Sequence, residues 1–194
     1  MDVSQENAHE SLNQIQDATI RTRKAIASSY ASGLLILWGL VWTIAFVGTH
    51  YFLSWVSHIW IALGVVGGIG TFLIFRRQLR STTPTRISGT SKVGLRIFGL
   101  WILLFVYIVV WFSILRPESG LQINAFICTG CMFAYIIIGL WFESYFMVWL
   151  GLTVTGITLV GLYLLPHGYY NLWMALFGGG AILGTGLYIR IFWN

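Results

Sequence analysis

The chain is 194 residues long, 57% of them hydrophobic and 9% charged, with a mean hydropathy of +0.79. A water-soluble domain carries about a quarter charged residues, so this composition cannot clothe a surface in polar side chains, and a cytosolic enzyme is excluded. Net charge is +5, from 11 Lys and Arg against 6 Asp and Glu, but the basic residues flank apolar runs, which points to anionic lipid and membrane orientation rather than to nucleic acid.

Residues 1–29 are polar throughout and predict a cytoplasmic or interfacial helix. Ser4 is its candidate cap, and Leu12, Ile15, Thr19, Thr22 and Ile26 recur at three- and four-residue spacing. Arg21, Arg23 and Lys24 would lie near headgroup phosphates. The segment lacks the basic stretch, apolar core and small-residue site of a signal peptide, so no cleavage is expected.

Residues 30–194 predict one membrane domain. Its six apolar segments, approximately 32–53, 56–75, 95–115, 122–142, 145–165 and 170–192, each approach the roughly 20 residues that cross hydrocarbon. The expected fold is therefore all-α, a polytopic membrane protein whose six transmembrane helices pair as three antiparallel hairpins. The one sizeable connection, 76–94, is rich in Ser, Thr and Arg, holds Pro84 and Gly89, and predicts a basic surface loop. Short turns at Ser54, residues 116–120, Glu143-Ser144 and residues 166–168 favour sequential antiparallel neighbours.

Positive charge resists translocation, so its distribution sets the expected orientation. Arg21, Arg23, Lys24, Arg76, Arg77, Arg80, Arg86, Lys92, Arg96 and Arg190 fall on one side and only Arg116 on the other, ten against one. Both termini and the 76–94 loop are expected to be cytoplasmic, in a bacterial-type inner (plasma) membrane. Aromatic belts agree, with Trp55, Trp60, Trp111, Tyr169, Tyr170 and Trp173 towards the outer ends and Trp141, Tyr145, Trp149, Tyr188 and Trp193 towards the inner ones.

The first two spans align with the last two. Gly39, Leu40 and Thr43 match Gly151, Leu152 and Thr155, while Val47 and Gly48 match Val160 and Gly161. Trp60, Ala62 and Leu63 match Trp173, Ala175 and Leu176, and Gly64, Gly70, Thr71, Leu73 and Arg76 match Gly178, Gly184, Thr185, Leu187 and Arg190. These are 13 identities over 38 positions, with two one-residue slips. The middle pair is fainter, with Leu37-Trp38 meeting Leu100-Trp101. Each repeat would start and end on the same side, giving parallel repeats about an axis along the membrane normal. In this plan the chain resembles small, poorly characterised bacterial six-helix membrane proteins built from hairpin repeats, and is similar in plan to the acid-resistance membrane proteins of that design. The resemblance covers the six spans, rests on Gly and Trp spacing, and implies no functional residue.

The densest local feature is glycine: Gly64, Gly67, Gly68 and Gly70 in the second span, and Gly178, Gly179, Gly180, Gly184 and Gly186 in the sixth. Gly64/Gly68 and Gly180/Gly184 fit the small-xxx-small rule for close helix packing, while loosening of the helix for a substrate path is the alternative. Cys128-Thr129-Gly130-Cys131 is a C-x-x-C sequence deep in an apolar span, where the thiols are expected to pack rather than to cycle with a disulfide. His9, His50, His58 and His167 offer neither two facing haem ligands nor a zinc spacing. Thr43, Ser113, Thr153, Thr155 and Thr158 supply weak interior hydrogen bonding and no charge.

No nucleophile with its base, phosphate loop or metal cluster is visible, and no cofactor is expected. The chain reads as a non-enzymatic subunit or assembly partner in a membrane complex, with anionic lipids and other membrane subunits or further copies of itself as partners. A small transporter or channel for an uncharged or lipid-like molecule is the runner-up, and a thiol-redox or haem protein the remaining alternative. Arg76, Arg77, Arg80, Arg86, Lys92 and Arg96 form the expected lipid- or partner-binding loop.

Overall fold

The computed structural model describes residues 31–81 and 89–192. Among them there is no strand, and six helices are long and apolar enough to cross a membrane, as in a multi-pass membrane protein. They are α1 (Ala31–Tyr51), α2 (Val56–Ser81), α3 (Gly89–Leu115), α4 (Gly120–Trp141), α5 (Tyr145–Tyr163) and α6 (His167–Phe192). The expected helix over 1–29 and Arg86 lie outside the described residues.

The expected 76–94 loop is corrected by the structure. Helix α2 continues to Ser81 and α3 begins at Gly89, so the connection shrinks to the residues between them. Arg, Gln and Leu have high helix propensity, and the Arg76-Arg77-Gln78-Leu79-Arg80 run prolongs the helix after the apolar stretch has ended. Arg76, Arg77 and Arg80 thus ride on the last turns of α2, and Lys92 and Arg96 on the first turns of α3.

Helix ends follow local chemistry. Arg116 takes a left-handed φ of 45° after α3 and precedes Pro117. Ser119 then caps α4, its hydroxyl accepting from the Gln122 N–H at 3.2 Å, while the Gln122 side chain accepts from the Glu118 N–H at 3.0 Å. This is close to a capping box. The far end of α4 closes with a Schellman turn, in which the Ser144 N–H donates to the Gly139 carbonyl at 2.8 Å and Glu143 adopts φ 54°. Helix α6 starts with a tight turn at His167–Tyr169 and contains a π-helical turn over Met174–Gly179.

Four helices make the core. The share of each span buried is 39% for α1, 33% for α4, 28% for α5 and 39% for α6, against 6% for both α2 and α3. Leu35, Phe46, Met132, Val154, Tyr170, Met174 and Ile182 are the large apolar and aromatic side chains fully enclosed there. Helix α2 leans on α1 and α3 on α4.

Glycines set the closest approaches. A β-carbon at Gly39 would stand 2.5 Å from the Leu183 nitrogen, one at Gly179 2.8 Å from the Thr43 nitrogen, and one at Gly186 2.7 Å from the Ile36 nitrogen. These contacts descend α6 as they ascend α1. On the other side of the core, Gly139 abuts the Val148 backbone and Gly151 the Met132 carbonyl, both at 2.9 Å from an added β-carbon. Without a water-driven hydrophobic force between helices in lipid, such backbone proximity is what holds them together.

Tryptophan links the paired helices. The Trp60 indole N–H donates to the Thr49 hydroxyl at 3.0 Å, and that hydroxyl donates to the Ala45 carbonyl at 2.8 Å. Trp38 donates in the same way to Thr71, which donates to the Gly67 carbonyl. Trp173, aligned in sequence with Trp60, donates to the Ile157 carbonyl at 2.8 Å. Threonine that back-bonds to its own helix still offers an oxygen lone pair to an indole from the next helix.

Candidate functional site

Helix α4 carries the features with chemical potential. Near its start, the Asn124 side-chain oxygen accepts from the Tyr170 hydroxyl of α6 at 3.1 Å and from the Cys128 thiol, one turn along α4, at 3.4 Å. Tyr170 is fully enclosed and Cys128 almost so. In an apolar interior an unbonded amide or hydroxyl is costly, so the cluster pins α6 to α4 at a single register. It is neutral, and it can hold a side chain or polar ligand in place without moving charge.

Cys131, the second cysteine, lies one turn further on, and both thiols are free and buried. The Cys128 thiol proton is committed to Asn124, and the pair packs against Met132 and Tyr170 in the core cluster. No group of three metal-ligating side chains occurs among the described residues. His50 stands edge-on to Tyr51, His58 lies beside Trp55, and His167 borders a cleft at the opposite end of the molecule from Arg76.

That cleft, about 350 Å³, is lined by Ser119, Gln122, Tyr163 and His167 with Leu121 and Leu162. A larger one of about 450 Å³ lies between α3 and α4 and is almost wholly apolar. Its walls are the α3 stripe Leu100, Leu104, Tyr107 and Trp111 and the α4 stripe Phe126, Gly130, Phe133 and Ile137. The Thr129 hydroxyl in its wall already donates within its own helix, 2.8 Å from the Ala125 carbonyl.

The structure divides the glycines that the sequence singles out. Gly67 meets the Trp38 ring, Gly70 meets Leu37, and Gly179 and Gly186 meet the α1 backbone. Gly178 faces Met174 of its own helix, and Gly180 has only the Ala175 carbonyl at 3.9 Å. Gly64, Gly68 and Gly184 have nothing within 4 Å of an added β-carbon, so neither the Gly64/Gly68 nor the Gly180/Gly184 pair forms a contact between helices among the described residues. Three further close positions, Gly39, Gly139 and Gly151, are outside the two clusters; the Gly39–Gly151 match in the repeat was the sequence signal for two of them.

Arg76, Arg77, Arg96 and Arg190 are exposed at one end of the bundle, with Arg76 stacked 5.7 Å over the Phe72 ring. None of the four makes an ion pair with a described acidic side chain. The Asn124–Tyr170 bond, 46 residues apart, escapes sequence reading; a lone asparagine in an otherwise apolar span was the available hint. No protein-family model, curated protein or solved structure matches the chain.

Proposed function

We propose that the chain is a non-enzymatic inner-membrane protein that serves as a subunit or assembly partner in a membrane complex. In this reading its six helices form three antiparallel hairpins, and the ten-to-one bias of basic residues holds both termini in the cytoplasm. The observation that carries it is the contrast between the enclosed four-helix core and the outer helix α2, which leaves Gly64 and Gly68 bare on an apolar face. A second helix can approach closely at such a stripe.

Purification in mild detergent followed by mass spectrometry tests the proposal directly. A stoichiometric membrane partner, or a stable oligomer of the chain, is the expected result, and Gly68→Leu should abolish it while leaving the monomer folded. A strictly monomeric parent overturns the reading. Orientation is checked with single cysteines at Ser88 and Ser119 in a cysteine-free background. Only Ser119 should react from outside.

The polar cleft beside His167 and the Asn124–Tyr170 pair favour a second reading, a small transporter for an uncharged solute. Under that reading Tyr170→Phe would impair uptake without altering assembly.

A further inference from the structure

We propose that the cleft between α3 and α4 holds one acyl chain of an acidic phospholipid whose phosphate sits on Arg96. The inference requires only that the chain lie in a bilayer, and it is independent of which proteins assemble with it.

Three observations converge. The cleft, about 450 Å³, falls within the roughly 300–1,000 Å³ range of small-molecule sites, and its walls are aliphatic and aromatic. Water would need two to four polar partners to stay there, and the Thr129 hydroxyl is already bonded to backbone, so the occupant must be apolar. Second, the α3 wall runs from Leu100 to Trp111, about 16 Å at helical rise, through the middle of the Gly94–Leu115 span. An acyl chain whose headgroup lies at the Arg96 end would run along it past the midplane.

The third observation chooses the headgroup. Arg96 precedes Leu100 by one turn and therefore extends the same stripe of α3 to the membrane surface. It is exposed, and its long side chain can reach the interface. Trp141, one turn beyond Ile137 on α4, is exposed at the same mouth, a residue type that settles at headgroup depth. Glu143, in the following turn, is exposed and makes no ion pair with Arg96. Among the described residues no acidic side chain pairs with the Arg96 guanidinium, which can grip a phosphate through two parallel N–H groups.

The test uses the full chain in mild detergent, titrated with phosphatidylglycerol or with phosphatidylcholine of identical acyl chains and read by native mass spectrometry. One saturable phosphatidylglycerol per chain is expected, bound more tightly than phosphatidylcholine. Arg96→Gln should lower phosphatidylglycerol affinity about fivefold, the weight of one cation near the surface, and erase the preference. Gly130→Leu projects a side chain into the cleft from a position where a β-carbon makes only ordinary contact, 3.5 Å from Ile108, and should expel both lipids. Leu103→Trp, on the exposed α3 wall, fills the same space and decides the matter if the first variant does not fold. Arg116→Gln, at the opposite end, should change nothing. Equal retention of the two lipids by the parent, a preference that survives Arg96→Gln, or undiminished binding in the folded cleft-filled variants would each overturn the proposal.

Discussion

Helix α4 treats its two neighbours in sequence, α3 and α5, differently. Towards α5 it presents Gly139, and α5 answers with Gly151, so that backbone meets backbone and no room remains for a methyl group. Towards α3 it presents Gly130, whose added β-carbon would lie at an ordinary 3.5 Å from Ile108, and an apolar cleft opens beside it. Both seams are equally greasy. Lipid tails are as apolar as leucine, so hydrophobicity does not decide which seam closes, whereas dispersion attraction between two backbones in close approach does.

The largest effect should come from breaking the closed seam. Gly151→Leu drives a branched side chain into Ile136 and the Met132 carbonyl, and overpacking of this kind costs about 1–3 kcal/mol, more when backbone must move. A marked fall in Tm in detergent is expected, or no folded protein at all. Next comes Tyr170→Phe, which leaves the Asn124 oxygen with only the weaker thiol donor and should cost about 1 kcal/mol. Adding Asn124→Leu to that variant should recover part of the loss in the same melt, because no amide is then left underbonded.

Sharpening the closed seam is the third test. Glu143 holds a left-handed conformation in the turn joining α4 to α5, where glycine meets no steric penalty. Glu143→Gly should stabilise the protein by about 1 kcal/mol, read as a rise in Tm. The smallest effect belongs to Gly68→Leu, on a face with nothing within 4 Å, which should shift the Tm of the monomer by less than about 0.5 kcal/mol equivalent. Together with Gly151→Leu it isolates helix contact from glycine content.

Six apolar runs in the sequence correspond to six helices because each run is long enough to need one, and the short turns at Pro117 and Pro166 are marked by residues that cannot continue a helix. Boundaries at the basic end were not legible from hydropathy, since helix propensity carries α2 beyond the apolar stretch that ends at Arg76 and Arg77. Glycine clusters were visible but their roles were not. Gly67 and Gly68 are adjacent in sequence, yet a helix turns about 100° between them, so one meets the Trp38 ring and the other meets nothing. Only the position of a neighbouring helix separates such cases, and that neighbour is set by pairs as distant in sequence as Gly39 with Leu183.

The π-helical turn over Met174–Gly179 gives α6 a property that the other spans lack. A single π turn amounts to one extra residue spliced into an α-helix, with the helix on either side staying in phase. Losing one residue from an ordinary span would swing everything beyond it by about 100° and carry its contact face into lipid. Losing one from within this turn would let it relax to α-helix while Tyr170 still faced Asn124 and Gly186 still faced Ile36. The sixth helix therefore has a spare residue, and shortening the gene by one codon there is a change this fold can absorb.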